Sequence, residues 1–386
     1  MVDQLESPRR LSLLDNSFPD PLSAFRYAEF KSYLSSIEGS IAFCKPGSIS
    51  TSVDGRALNE LIDAFNTENP DLKNRVVSYE HRDLHAVPDE LLYFVFLNNV
   101  RTFRPDLNQG KPFAFTLYPG GDFWPYTRET NPLLREVFAH SGFRRVIVNQ
   151  AFSRDYLLNC NFCREEQITL IPGVVVPQEF LLQTRSEPTL KKDELKTVNI
   201  CFAAYKYSEG GREKGLDIFL DVARRLITTT DFDMRFHLVG DWEKDVLDDT
   251  LKPFLTFHGV MQTNALLDFF SEMDVFISPN RSGEPFQGRF DGFPTGTAVQ
   301  AGLCGVAVFA SDCLQQNYYL RDGEEIVVIN HSATEIGDVV ASWMQDHVRL
   351  ESLKAAGAKA FRRLYGFEAQ MKPRIELLTE LLHLRS

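Results

Sequence analysis

The residues best suited to chemistry lie in one segment, Phe290-Asp-Gly-Phe-Pro-Thr-Gly-Thr-Ala-Val-Gln300. A loop of Gly, Pro and Thr runs into a short helix of small residues, which leads to a buried strand, Val306-Ala-Val-Phe-Ala310. Thr295 or Thr297 supplies the helix cap, and Gly292 and Gly296 let backbone approach a ligand closely. The free N–H groups of the first turn, with the positive end of the helix dipole, then favour an anion such as phosphate. Asp291 and Gln300 flank the cradle on either side. This suits a ligand with phosphate in its middle and hydroxyls at both ends, as in a nucleotide sugar.

Cations for such a ligand occur in a second stretch, Ala204-Tyr-Lys-Tyr-Ser-Glu-Gly-Gly-Arg-Glu-Lys-Gly215. Lys206, Arg212 and Lys214 are candidates to clamp a diphosphate and neutralise charge on a leaving group. A charged loop is by itself more often a solvated surface. Here it follows a strand, where ligands of parallel α/β sheets bind, and should face the cradle. Glu284 is a further candidate for a sugar hydroxyl, or plain loop charge.

In the first half, Thr116-Leu-Tyr-Pro-Gly-Gly-Asp-Phe-Trp124 follows an apolar strand. Gly120 and Gly121 permit close backbone approach, Asp122 suits a hydroxyl, and Tyr118, Phe123, Trp124 and Tyr126 suit stacking on a sugar face; a plain turn is the equal alternative. The loop around Ser17 and Phe18 follows the first strand and is expected on the acceptor side of a cleft. Arg26 and Glu29, one helical turn apart, either assist there or pair with each other. Cys160-Asn-Phe-Cys163 is a lone CxxC without a second ligand pair, and the eight histidines are scattered, so no metal site is expected.

The elements that must position these groups alternate. Strands are expected at 10–17, 40–44, 91–97, 113–118, 145–149 and 167–171, with helices at 23–34 and 57–65. After a polar stretch, 177–196, read as a linker, a second series runs from Val198 to Asp312 and closes with a pair of helices. The reading is α/β: two Rossmann-like, doubly wound parallel-sheet domains facing a central cleft, over 1–176 and 197–366, with a terminal helix over 367–386. A chain of 386 residues is long enough for two cores. A net charge of −12 argues against nucleic acid and weakens membrane adsorption. No apolar run reaches membrane-spanning length, the N-terminus lacks an apolar signal core, and six cysteines in this length are no disulfide framework. A cytoplasmic protein is expected, with weak peripheral contact at the inner membrane face left open.

Residues 198–330 resemble the donor-binding domain of retaining GT-B glycosyltransferases, specifically family 4 (glycosyl transferases group 1). The pieces come in the family's order: Lys214-Gly-Leu-Asp-Ile-Phe-Leu220, Phe236-His-Leu-Val-Gly240, Leu255-Thr-Phe-His-Gly-Val260, Met273-Asp-Val-Phe-Ile-Ser-Pro279, Asp291-Gly-Phe-Pro294, Gly305-Val-Ala-Val-Phe-Ala-Ser-Asp312 and Leu320-Arg-Asp-Gly323. The first domain matches more loosely, and the last helix is similar to one that, in the family, crosses back onto the first domain. The resemblance implies transfer of a sugar from a nucleotide diphosphate to a hydroxyl acceptor (a glycan, a glycolipid or a small molecule), in polysaccharide or glycoconjugate biosynthesis. It implies a hexosyltransferase-type enzyme that retains anomeric configuration and has no essential metal or other cofactor. Position by position, Lys214 matches the lysine on the donor diphosphate, and Lys206, or Arg212, its partner cation. The backbone from Phe293 through Pro294 to Thr297 falls where phosphate oxygens are held, Gly259 and Val260 where the nucleobase sits, Asp291 at the sugar, and Gln300 where a glutamate holds the ribose. The family's two glutamates have seven residues between them; Asp291 and Gln300 have eight, and the second is an amide. Rival readings are a non-catalytic nucleotide-binding subunit and a sugar-nucleotide epimerase. A dehydrogenase is disfavoured, because no Gly-x-Gly-x-x-Gly follows the first strand of either domain.

Overall fold

The computed structural model describes residues 10–46, 56–83, 90–182, 197–206, 208–243, 249–283 and 287–384. The chain divides into two compact units, one of residues up to Val175 together with the segment from Phe367, the other Val176–Gly366.

The first unit is built on seven parallel strands: β1 (Arg10–Asp15), β2 (Ile41–Cys44), β3 (Val76–Ser78), β4 (Glu90–Val95), β5 (Phe113–Leu117), β6 (Phe143–Val148) and β7 (Ile168–Leu170). Their order is β3-β2-β1-β4-β5-β6-β7. Every residue of β4 and β5 is buried, as expected of parallel strands covered on both faces by helices. The strand ends expected at 97 and 118 fall at Val95 and Leu117, since Leu97 already opens a helix. The three-residue β3 was not expected, being too short to show an alternation of its own.

The terminal helix, Phe367–His383, belongs to this unit, with Met371, Leu377, Leu378, Leu381 and Leu382 in its apolar core. Arg374 is fully buried; it donates to the Gln370 carbonyl (2.6 Å) and to the Tyr118 hydroxyl (3.3 Å). Tyr118, Tyr33 and Tyr93 all donate to Glu29, itself 0 % exposed. A buried carboxylate persists only when so satisfied.

The second unit is built on β8 (Val198–Ala203), β9 (Met234–Val239), β10 (Leu255–Gly259), β11 (Val275–Ser278), β12 (Ala307–Ser311) and β13 (Val327–Ile329), all parallel. The order β10-β9-β8-β11-β12-β13 is that of a doubly wound fold. Connections from β8 run one way along the sheet and those from β11 the other, so the loops beyond the carboxyl ends of these two strands part and leave a crevice. Its core gathers Phe202, Phe219, Phe236, Ile277, Phe309 and Trp343 between sheet and helices. Within the expected linker, Gln178–Leu182 forms a helix of this unit. Phe180 is buried, and the Leu181 carbonyl accepts from Arg362 (2.8 Å); residues 183–196 lie outside the described ones.

Candidate active site

On the β12 side of this crevice lies a small cavity lined by the ends of β11 and β12 and by the loop ahead of the cradle helix, Gly296–Leu303. Thr295 is the cap: its φ and ψ are extended, and its hydroxyl accepts from the Ala298 N–H (3.4 Å). Thr297 approaches that hydroxyl at 3.5 Å. Asp291, Gly292, Phe293 and Thr295 line the cavity together. Pro294 is buried, Gly296 is exposed and Thr297 half-buried.

Lys214 arrives from the other side of the crevice and donates to Asp291 Oδ2 at 2.6 Å, with only 5 % of the residue exposed. Its approach depends on Gly215, whose φ of 76° is left-handed. A Cβ there would meet the Pro279 carbonyl oxygen at 2.2 Å, so a side chain would push the Lys214 segment off the end of β11. Asp291 Oδ2 also accepts from Asn280 Nδ2 (2.5 Å), and Asn280 Oδ1 accepts from Ser278 Oγ (2.9 Å). Ser278 in turn reaches Thr295 Oγ1 at 3.3 Å. One hydrogen-bonded chain therefore runs Lys214–Asp291–Asn280–Ser278–Thr295 and ties the buried ammonium to the cap of the cradle helix.

Arg281 lines the same cavity. It forks onto Asp217 with two bonds of 2.9 Å and donates to the Arg212 carbonyl (3.0 Å), which staples the Lys214 segment to the end of β11. Two other candidates take different directions. Lys206 pairs with Glu243, beyond β9, and the Arg212 side chain is exposed. Gly259 and Val260 are exposed at the end of edge strand β10, and Gln300 is buried on the cradle helix, 8 % exposed. Glu284 lies outside the described residues.

Asn280, Arg281 and Ser278 were missed from the sequence, although all three sit at the carboxyl end of a strand flanking the crevice, the position that the sheet rule singles out. Beside them, Ser311 Oγ (2.6 Å) and Cys313 Sγ (3.0 Å) donate to the Asn280 carbonyl, and His331 Nε2 lies 2.9 Å from it.

In the first unit, Asp15 closes the loop after β1 by accepting from the Ser17 and Phe18 N–H groups (2.7 and 2.8 Å). Ser17 is half-buried, but the Phe18 ring is 1 % exposed and stacks on Phe30 with centroids 5.2 Å apart. Phe18 thus anchors the loop from inside rather than facing a ligand. Arg26 and Glu29 do not pair: Arg26 donates to Asp15 (3.1 Å) and Glu29 serves the buried tyrosines. Their positions one turn apart aim them at different strands. Gly120, Gly121 and Asp122 all have positive φ. A Cβ on Gly121 would lie 2.7 Å from the Phe96 side chain, so this turn packs tightly on the end of β4. Asp122 pairs with Arg101 (2.5 Å). Of the aromatics proposed for stacking, Tyr118 and Phe123 are buried in the core; Trp124 is half-buried and Tyr126 is 59 % exposed.

The CxxC cysteines are unbridged, and burial pushes the Cys163 thiol up to about 12. Among the described residues no group of three His, Cys, Asp or Glu is placed to hold a metal, and no helix is long and apolar enough to cross a membrane.

Residues 198–346, most of the second unit, match the family described as glycosyl transferases group 1. No curated protein matches the chain. Among solved structures, Anabaena HepE in complex with UDP and glucose is similar over 96 % of this chain and 100 % of its own, with TM-score 0.67 and 14 % identity. Sucrose-phosphate synthase from Thermosynechococcus elongatus is similar over 97 % and 99 %, with TM-score 0.66 and 14 % identity. A glycosyltransferase from Rickettsia africae covers 98 % and 100 %, with TM-score 0.64 and 11 % identity. The fold is GT-B, two parallel-sheet α/β units in one chain, and the second unit carries the group 1 glycosyltransferase pattern.

Proposed function

We propose that this protein transfers a sugar from a nucleotide diphosphate to a hydroxyl acceptor with retention of anomeric configuration. The observation that carries the reading is the buried Lys214 ammonium, held 2.6 Å from Asp291 beside the capped start of the cradle helix, within the segment that matches group 1 glycosyltransferases. An ammonium and a helix start on one crevice supply fixed positive potential where a diphosphate leaving group gathers charge. Uridine is the first base to test, because HepE binds UDP and UDP-glucose.

In this mechanism Lys214 and the N–H groups around Thr295 and Gly296 take the diphosphate oxygens, and Asp291, still held by Asn280, accepts from a sugar hydroxyl. Lys206, on leaving Glu243, or the exposed Arg212, on turning inward, adds a second positive charge. Gln300 meets the ribose, and the segment at Gly259 and Val260 meets the base. With no protein nucleophile assigned, the departing phosphate oxygen takes the acceptor's proton as the acceptor attacks the same face, which retains configuration. The acceptor, a glycan, a glycolipid or a small molecule, is assigned to the first unit, near Ser17 and the Gly120–Asp122 turn. Preorganised charge supplies most of the rate, and no metal enters the mechanism.

One observation favours a second reading, a nucleotide-binding subunit without turnover: Gln300 stands where the family carries a glutamate and is buried. Incubation with UDP-glucose and related sugar nucleotides, with and without candidate acceptors, separates the two. NMR of the products should show nucleoside diphosphate release and an anomeric configuration matching the donor. Inverted product would rule out retention, and binding without release would favour the second reading.

A further inference from the structure

We infer that Asn280 is a positioning residue that lets Lys214 exchange Asp291 for a diphosphate, an inference resting on the reading above. The geometry is specific. Lys214 and Asn280 donate to the same atom, Asp291 Oδ2, at 2.6 and 2.5 Å. Asn280 is 9 % exposed and fixed on three sides: Ser278 holds its amide oxygen, while Ser311 and Cys313 hold its carbonyl. Its amide nitrogen therefore stays on Asp291 wherever the lysine goes.

A buried ammonium paired to a carboxylate is poorly available to a second anion, since leaving the pair strands a charge. A second, immovable donor on the same oxygen lowers that penalty: when Lys214 swings to phosphate, Asp291 keeps a charge-assisted hydrogen bond. Asparagine serves here because it carries an acceptor for Ser278 and a neutral donor for Asp291 in one planar group. A lysine or arginine in its place would compete with Lys214 for Asp291 outright.

Asn280 also lines the cavity and reaches Thr295 through Ser278, but the role inferred here runs through Asp291, so it predicts a coupling between the two that a merely structural residue would not show. The test is a calorimetric titration of UDP into the full chain as wild type, Asn280→Ala, Asp291→Asn and the double variant, each checked for folding by thermal melting. Asn280→Ala should weaken UDP binding about tenfold, the scale of one charge-assisted hydrogen bond. In the Asp291→Asn background, where no carboxylate holds Lys214, the same change should alter binding less than about twofold. Asn280→Asp, close in shape, should weaken binding at least as much in the otherwise wild-type chain, because it sets a second carboxylate beside the ammonium. Equal losses in both backgrounds, or no loss in either, would overturn the inference while leaving the transferase reading intact. Failure of the wild type to bind UDP and the other common nucleoside diphosphates would overturn both.

Discussion

Replacing Lys214 with alanine removes the buried ammonium that the structure sets against Asp291. Two opposite unit charges about 4 Å apart interact by about 4 kcal/mol at an effective dielectric near 20, roughly three decades in rate if that charge meets the leaving diphosphate. Loss of a single preorganised donor gives a similar span, about two to four decades. The stability cost should be smaller. Asp291 keeps its bond to Asn280 and a side chain 25 % exposed to water, so we expect about 1–2 kcal/mol, a melting shift of a few degrees. The assay is release of UDP from UDP-glucose under single-donor conditions, read as kcat/KM, beside UDP affinity by calorimetry. A double change, Lys214→Ala with Asp291→Ala, separates two roles. If the lysine only neutralises Asp291, the double variant is no slower than Asp291→Ala alone; if it meets the diphosphate, the double is slower than either single. A folded Lys214→Ala protein within tenfold of wild-type kcat/KM would refute the reasoning.

Further outcomes follow from the charged and nucleophilic groups. Burial pushes the Glu90 carboxyl up, but Arg82, Lys111 and Ser12 outweigh it and bring it down to about 2, so it contributes stability that is full above the unfolded value near 4.5 and is lost as pH falls toward 2. Glu90→Gln should remove up to about 3 kcal/mol at pH 7, and urea unfolding at pH 7 and pH 3 should show the gap to wild type shrinking at the lower pH. Burial, then neighbouring His258 (3.0 Å) and Arg235, lowers the His237 pKa to about 4, so the unfolded chain binds the proton first and stability falls as pH drops from about 6.5 toward 4. His237→Gln should flatten that window by on the order of 1 kcal/mol after allowance for solvent, measured by the same unfolding series. Alkylation of the native protein should label exposed Cys313 before the fully buried Cys44 and Cys201, and UDP should slow it because Cys313 lines the same cavity as Asp291 and Thr295; Cys160→Ser should leave turnover intact. Labelling that is indifferent to UDP would remove Cys313 from the ligand's surroundings.

The cradle was legible because its signals are local. A threonine cap, flanking glycines and a small-residue helix before an apolar strand are read within about twenty residues, and the two-domain α/β class follows from strand and helix alternation over longer spans. Lys214 was legible only as a candidate. Its partner stands 77 residues away, and chain spacing does not say which of Lys206, Arg212 and Lys214 turns inward. That choice is made by Gly215 against Pro279 and by Arg281 on Asp217, contacts between segments distant in sequence. Asn280 was illegible for a related reason, because an asparagine after a strand reads as a turn residue until the loop carrying Asp291 is folded against it. Phe18 shows the opposite error: a loop position suggested exposure, while tertiary packing against Phe30 and Phe65 drew the ring inside. The three-residue β3 and β13 escaped, whereas β7, equally short, was read from the longer run 167–171 around it.

The central claim is that the second unit binds a nucleoside diphosphate through Lys214 and the cradle helix. The most direct test is calorimetric titration of UDP, GDP, ADP, dTDP and CMP into the full chain in the presence of a chelator, repeated with Lys214→Ala. We expect one diphosphate to bind selectively without metal, with affinity falling at least tenfold in the variant and CMP not competing. Equal affinity in the two proteins, or no binding of any nucleotide to the wild type, would contradict it.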